Sequence, residues 1–427
     1  MINNKLPTCR RKRKVDNVIV GIDIGTTKIC TMVGMLDQNN ELKLLGKGYT
    51  IFNGVKKGVI VDVDETAKAI RNSVEEAETE ARISINSAFV NIYGSHVNII
   101  HHREKIHILN EDQIITVDDL ERLFDAIERI PIPEGTQIID IIPKQYIVDG
   151  YGDIRDPVGM TGLMLEVEAD VVTGKLIPVK NIMRSMEKAG LEVDGITAGA
   201  FATGELLLSV EEKEMGVILV DVGGRITDVS AIKNGQVVAY DSIPVGGEHI
   251  TNDIAIGLKI SYSEADKIKR KYELALTTLI KNDQEVVVFD VNEEKQKSVQ
   301  VSQIIEIIEA RVYEILSLAK DVVERYCNPA DFRAGVVLTG AGISYVNGNK
   351  QIAEEIFKMP VRVASYKSFA ELTKPEYVAA AGIIKHMAKR NKFSSTSGKV
   401  DQEDEVKSKT FIDTLKSWLK SIYEWFS

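Results

Sequence analysis

Short apolar runs that end in glycine punctuate this chain, and between them lie longer segments with apolar residues at helical spacing. The first run, Asn17-Val-Ile-Val20, leads into Gly21-Ile-Asp-Ile-Gly-Thr-Thr-Lys28 and on to Ile29-Cys-Thr-Met-Val33. That pattern predicts strand, tight turn, strand, with Gly25 taking a positive φ at the turn. Another strand follows over 41–52. A helix over 64–82 then carries Ala67, Ile70 and Val74 on one face, with Asp64 as its N-cap. A second glycine hairpin joins Met215-Gly-Val-Ile-Leu-Val220 to Asp221-Val-Gly-Gly-Arg-Ile-Thr-Asp228, and Gly246 and Gly247 stand just ahead of a further helix. Ser263 is a plausible cap for a helix over 263–272, and 301–325 is long and amphipathic. Gly335-Val-Val-Leu-Thr-Gly-Ala-Gly-Ile343 is a third strand ending in glycine, and 375–384 is a helix of small residues suited to close packing between lobes. Strands alternating with long helices predict an α/β fold, a mixed sheet with flanking helices.

The texture changes twice. Residues 86–170 hold several strands and one helix over 117–130, which Asp118 and Asp119 favour at its start and Pro131 ends, so this stretch reads as a small α+β insertion. His101, His102 and His107 lie there without acidic or cysteine neighbours at ligand spacing and read as strand histidines rather than a metal site. Residues 389–408 are rich in Ser, Lys, Asp and Glu, too polar to offset their ordering entropy, and read as a flexible linker. Order returns over 409–427. At 100° per residue, Phe411, Ile412, Leu415, Trp418, Leu419, Ile422, Tyr423, Trp425 and Phe426 share an arc of about 160°. Both tryptophans of the chain are here. A polar tether followed by an apolar face with Trp at its edge suits a lipid bilayer surface.

Composition narrows the class. At 427 residues the chain exceeds the size of one core, so two lobes are expected. Its net charge of −10 exerts no global pull on nucleic acid, and no nucleic-acid partner is expected. Cys9, Cys30 and Cys327 are odd in number and far apart, which argues for a reducing compartment. The basic run Arg10-Arg-Lys-Arg-Lys14 reads as a solvated leader.

The candidate chemistry is phosphate binding. Thr26, Thr27 and Lys28 add hydroxyls and a cation to the bare backbone of Gly25, and Asp23 is placed to hold a hydrated Mg²⁺. Across a cleft, Asp221 with Gly223, Gly224, Arg225 and Thr227 forms the matching jaw, and Gly246 and Gly247 are expected among the cofactor-binding residues. Gly340, Ala341 and Gly342 present backbone to a nucleoside, where a side chain would collide. Each motif alone is weak, but three in this order are strong.

This set resembles the superfamily of actin, heat-shock chaperone ATPases and sugar kinases, and within it the bacterial cell-division FtsA family. Gly54-Val-Lys-Lys-Gly-Val-Ile-Val-Asp62, Gly94-Ser-His96 and the stretch from Gly246-Gly247 to Ala255 look like that family's signatures. The resemblance implies an actin-like two-lobed ATPase fold of paired RNase H-like domains, with an α+β insertion in the first lobe and a C-terminal amphipathic helix. It divides the chain into a first-lobe core at 1–85 (leader 1–16), an inserted subdomain at 86–170, and the first-lobe core again at 171–215. The second-lobe core at 216–250 and 331–375 encloses a small subdomain at 251–330. An inter-lobe helix at 376–388, the linker at 389–408 and the membrane helix at 409–427 complete it. It implies ATP with Mg as cofactors, slow hydrolysis at most, and filament formation on the cytoplasmic face of the cell membrane at the division site. The tubulin-like FtsZ would be held by its C-terminal tail, with Arg311 matching a family arginine, and later division proteins would bind through 86–170. Asp266 and Lys269 look like adenosine contacts.

The chain departs from the family's second hairpin, usually Asp-x-Gly-Gly-Gly-Thr-Thr-Asp, by carrying Arg225 and Ile226. Arg225 either adds a phosphate contact or crowds the turn. Thr197 is the one candidate for orienting water, which predicts slow turnover. Two other readings share the fold: a small-molecule kinase, with Asp194 as base, and a pilus-assembly platform of the PilM type. The terminal amphipathic helix argues against both.

Overall fold

The computed structural model describes residues 18–36, 42–56, 58–364 and 374–395, with side chains through Lys389. The leader 10–14, the linker from residue 396 and the apolar face at 411–426 lie outside the described residues.

Two five-stranded sheets form the lobes. In the first, Val18–Ile24 and Lys28–Leu36 make the expected hairpin, Leu42–Ile51 extends it antiparallel, and Ser87–Ile92 and Glu192–Ala198 add parallel strands on the other side. The second repeats the plan. Val217–Val222, Thr227–Lys233 and Gln236–Ile243 run antiparallel, and Gly335–Thr339 and Val361–Val363 lie parallel beyond them. The central strands are apolar on both faces because helices cover both. Val217, Ile218 and Val220 have no exposed surface.

The helix expected over 64–82 is Val63–Ala81, and its cap is Asp62 rather than Asp64. Asp62 Oδ1 accepts the Glu65 amide at 2.8 Å, leaving Asp64 and Glu65 in the first turn. Ser261, not Ser263, likewise caps Tyr262–Tyr272. The long helix is Val301–Tyr326, whose Ile304, Ile305, Ile308, Ile315 and Leu316 fill the second-lobe core.

The insertion is a four-stranded antiparallel sheet, Val97–His107, Met164–Lys175, Thr136–Val148 and Tyr151–Ile154, with the helix Val117–Glu128 upon it. The boundary expected at 86 is too early, because Ser87–Ile92 pairs with Val18–Ile24 inside the first-lobe sheet. Within the insertion, His101 Nδ1 faces the buried Asp170, whose other neighbour is Lys144 Nζ at 2.6 Å.

The small-residue helix, Val378–Ser395, bridges the lobes and runs past the expected start of the linker at 389. Its Ala380, Ala381, Ile383 and Ile384 share one core with Met32 and Phe89 of the first lobe and Leu219 and Val337 of the second. A Cβ at Gly21 would lie 2.6 Å from the Ala380 carbonyl, and one at Gly382 would lie 2.3 Å from that of Ala202. Small residues let this helix approach the first lobe to backbone contact while its side chains pack on the second.

Candidate functional site

The first and second glycine hairpins meet across a cleft of about 330 Å³ between the lobes. On the first-lobe side Asp23 is buried near the end of its strand. Asn91 donates from Nδ2 to Asp23 Oδ1 at 2.6 Å, while its own Oδ1 accepts the Ile24 amide at 2.9 Å. Lys28 Nζ donates to Asp23 Oδ2 at 3.2 Å and to the carbonyl of Glu376 at the head of the bridging helix. Burial works against the Lys28 charge, but neighbouring Cys30 and Asp23 outweigh it, and the pKa lies above the usual lysine value.

On the second-lobe side Thr203 Oγ1 donates to Asp221 Oδ2 at 3.3 Å. Burial, with Asp228 and then Asp23 close by, pushes the Asp221 carboxyl up to about 7. Asp228 is pushed up to about 6, chiefly by burial, against hydrogen bonds from Ser242 and from the Tyr240 hydroxyl at 2.9 Å. Tyr93 lies among these carboxylates and is hydrogen-bonded to Asp23. Crowded, desolvated negative charge of this kind is relieved by a bound cation. Among the described residues no three His, Cys, Asp or Glu side chains are grouped to ligate a metal directly. The paired carboxylates Asp23 and Asp221 fit a hydrated Mg²⁺, an ion that gives up its waters reluctantly and needs few protein ligands.

Gly25, Thr26, Thr27, Gly223 and Gly224 line the same space. Gly25 does not take the positive φ expected of it. Its amide donates to the Lys28 carbonyl at 3.0 Å, which closes the turn in ordinary backbone space. Gly224 is held to glycine by contact between lobes, since a Cβ there would lie 2.4 Å from Thr27 Cγ2. Gly340, Ala341 and Gly342 also face the cleft. Gly340 has φ 94° and room for no side chain, its Cβ position lying 2.3 Å from the Val222 carbonyl and 2.5 Å from Asp221 Oδ1.

The helix Gly247–Leu258 starts under the second hairpin. The Gly247 and Glu248 amides donate to the carbonyls of Gly223 and Gly224 at 3.0 and 2.7 Å, so these helix-end donors brace the hairpin. Gly247 lines the cleft, whereas Gly246 packs beneath the hairpin, where a Cβ would lie 2.6 Å from the Gly223 carbonyl. Thr227 is fully buried and donates to the Val245 carbonyl at 2.8 Å, off the cleft. Arg225 is not in the lining either. Its backbone is unstrained, and its guanidinium turns to Glu248, Asn53 and the Val55 carbonyl.

At the far end Asp266 and Lys269 line the cleft together. Lys269 Nζ donates to the Gly247 carbonyl at 3.0 Å and Thr251 Oγ1 at 2.6 Å, and burial, opposed by Asp266, lowers its pKa. Arg270, Tyr262 and Glu248 belong to the lining and were not singled out from sequence. Arg270 was legible one step after Lys269, because i, i+4 from Asp266 puts it on the same face. Asn91 and Tyr93 carried no such signal, since their place follows from strand pairing. Thr197 Oγ1 is buried with no hydrogen-bond partner among the described residues, and neither Thr197 nor Asp194 is in the lining. Arg311 lies elsewhere in the second lobe. It forms a two-pronged pair with Asp253, from Nη2 to Oδ1 at 3.0 Å and from Nε to Oδ2.

The family profile described as Cell division protein FtsA matches residues 218–382, and one described as SHS2 domain inserted in FTSA matches 94–173. Cell division protein FtsA of Pseudomonas aeruginosa is 32% identical over 410 residues, covering 94% of this chain and 97% of that protein. The Bacillus subtilis protein of the same name is 35% identical over 371 residues, covering 86% and 83%. Among solved structures, the PilM–PilN type IV pilus biogenesis complex aligns with TM-score 0.56 at 15% identity, over 87% of this chain and 98% of that one. MreB 5 of Spiroplasma citri bound to AMPPNP aligns with TM-score 0.53 at 14% identity, over 88% and 98%. These two likenesses establish the actin-like fold. With relatives at 32 and 35% identity along most of its length and the matched insertion in its first lobe, the chain belongs to the FtsA family of cell division proteins.

Proposed function

We propose that this chain is an ATP-binding assembly protein of cell division. It polymerises on the cytoplasmic face of the membrane, holds FtsZ there by its C-terminal tail, and recruits later division proteins through the inserted subdomain. The observation that carries the nucleotide part is the facing of two glycine hairpins over the carboxylates Asp23 and Asp221. Gly25, Thr26, Thr27, Gly223 and Gly224 would present amides and hydroxyls to phosphate oxygens, and Lys28 a cation. Gly340, Ala341 and Gly342 would lie against the nucleoside, with Asp266 and Lys269 at its far end. Asp23 and Asp221 would hold a hydrated Mg²⁺ through its waters, and that ion would supply charge neutralisation to the phosphates. Thr197, the residue expected to orient water, is not in the cleft lining, which supports slow turnover at most.

The kinase reading loses its base, because Asp194 is outside the cleft lining. The pilus reading rests on likeness of fold alone.

The amphipathic segment 409–427 would supply the membrane contact. In liposome flotation the full chain should float with the vesicles and a chain ending at Ser408 should stay in the soluble fraction. Equal flotation of both would remove the tether. For the partner, Arg311→Glu should weaken capture of an FtsZ tail peptide by about tenfold or more, as expected for losing a charged anchor. Unchanged capture by a variant whose melting temperature matches the parent would remove Arg311 from that site.

A further inference from the structure

Arg225 stands in the second phosphate hairpin, yet three of its hydrogen bonds reach the other lobe. Its backbone N–H donates to Thr26 Oγ1 at 3.1 Å. From the guanidinium, Nη2 donates to Asn53 Oδ1 at 3.1 Å and Nη1 to the Val55 carbonyl at 3.3 Å. Thr26, Asn53 and Val55 all belong to the first lobe. Nε donates to Glu248 Oε2 at 2.6 Å, an ion pair within the second lobe that aims the planar fork across the cleft mouth. Both side chains of that pair are about one-quarter exposed, so its attraction is less screened than on an open surface. Asn53 and Glu248 line the cleft on either side of this bridge.

We infer that Arg225 is a cross-lobe latch, a positioning residue that keeps the two phosphate hairpins closed on each other before any ligand binds. The geometry follows from guanidinium chemistry, in which one planar cation serves an ion pair and two neutral acceptors at once. A glycine at this position would leave only the backbone bond to Thr26. The latch joins the second hairpin to Asn53 and Val55, while Lys28 separately ties the first hairpin to Glu376 ahead of the bridging helix. Parting of the hairpins to admit a nucleotide between them would break the Arg225 bridge, so the latch slows admission. That last consequence rests on the nucleotide reading above; the closure itself does not.

The test uses the full chain with Cys9 and Cys327 replaced by serine and spin labels at Asn72→Cys and Glu306→Cys, one exposed site on each lobe. Pulsed electron resonance reads the distance between lobes with and without Mg-ATP, and stopped-flow reads association of a fluorescent ATP analogue. The parent should show one inter-lobe distance in both conditions. Arg225→Gly should show a longer or broader distance without nucleotide that returns to the parental one with Mg-ATP. Its association rate should rise about tenfold, the scale of one lost charge-assisted hydrogen bond. Arg225→Lys, which keeps the pair to Glu248 but lacks the fork, should fall between, and it carries the test if the glycine variant does not fold. A parental distance distribution in the ligand-free variants overturns the latch. If the analogue binds no form of the chain, the nucleotide reading fails, and the ligand-free distances still decide the latch.

Discussion

Asp221→Asn is expected to abolish Mg-dependent ATP binding and, at the same time, to stabilise the ligand-free protein above pH 7. The two effects share a cause. Burial, Asp228 and Asp23 push the Asp221 carboxyl up to about 7, against 3.8 for the free group. Between these values the folded protein holds a proton that the unfolded chain has released, so ligand-free stability falls as pH rises through that window and levels off above it. Asparagine has no proton to lose there, can still accept from Thr203, and removes one of the crowded charges. Because Asp221 is partly open to the cleft, the gain above pH 7 should be modest, roughly 1–2 kcal/mol. Melting curves of both proteins from pH 4 to pH 8 without nucleotide measure it, and a variant that melts lower than the parent at pH 8 contradicts the electrostatic account. The same titration makes Mg-ATP affinity in the parent weaken as pH drops below about 7, since protons and metal compete for Asp221. Isothermal titration at several pH values reads that slope, and retention of parental Mg-ATP affinity by Asp221→Asn would remove Asp221 from the metal site.

The largest loss of stability is expected from Gly340→Val. Gly340 sits at φ 94°, where a β-branched residue is strained. Its Cβ would also lie 2.3 Å from the Val222 carbonyl and 2.5 Å from Asp221 Oδ1. Strain and overlap together should cost about 3–5 kcal/mol, a large share of a domain's total stability. The displacement falls on Val222 and Asp221, so ATP binding should fail even in molecules that remain folded. Denaturant unfolding gives the first number and nucleotide titration the second. A midpoint within error of the parent would mean that the third glycine element has freedom the packing denies it.

Much of this is legible in the sequence. The three glycine-terminated strands, the change of texture around the insertion and the small-residue helix each have a local cause, and each is found close to its expected place. Local reasoning failed where a neighbour distant in sequence decides. Asp62 displaces Asp64 as cap by one helical choice of start, a local near-tie. The insertion boundary is different, because Ser87–Ile92 is claimed by pairing with Val18–Ile24, which no window around residue 87 contains. The expected phosphate contact at Arg225 became a bridge to Asn53 and Val55 for the same reason, since the competing acceptors come from the other lobe.

The sequence by itself determined the elements and the chemistry they carry. Hydrophobic period, capping and glycine placement act over a few residues, and the carboxylates, hydroxyls and lysine of the hairpins are readable as a phosphate-binding set. Tertiary structure alone decided which of those groups face one another. It brought Asp228 and Asp23 close enough to raise the proton affinity of Asp221, set Lys28 on the carbonyl of Glu376, and carried the Arg225 guanidinium to Asn53 and Val55 of the other lobe. Hydrogen-bond competition of this kind depends on distances of a few ångströms between residues far apart in the chain, 172 and 170 positions for Arg225 with Asn53 and Val55 and 348 for Lys28 with Glu376, and those distances exist only once both lobes have closed on the helix between them.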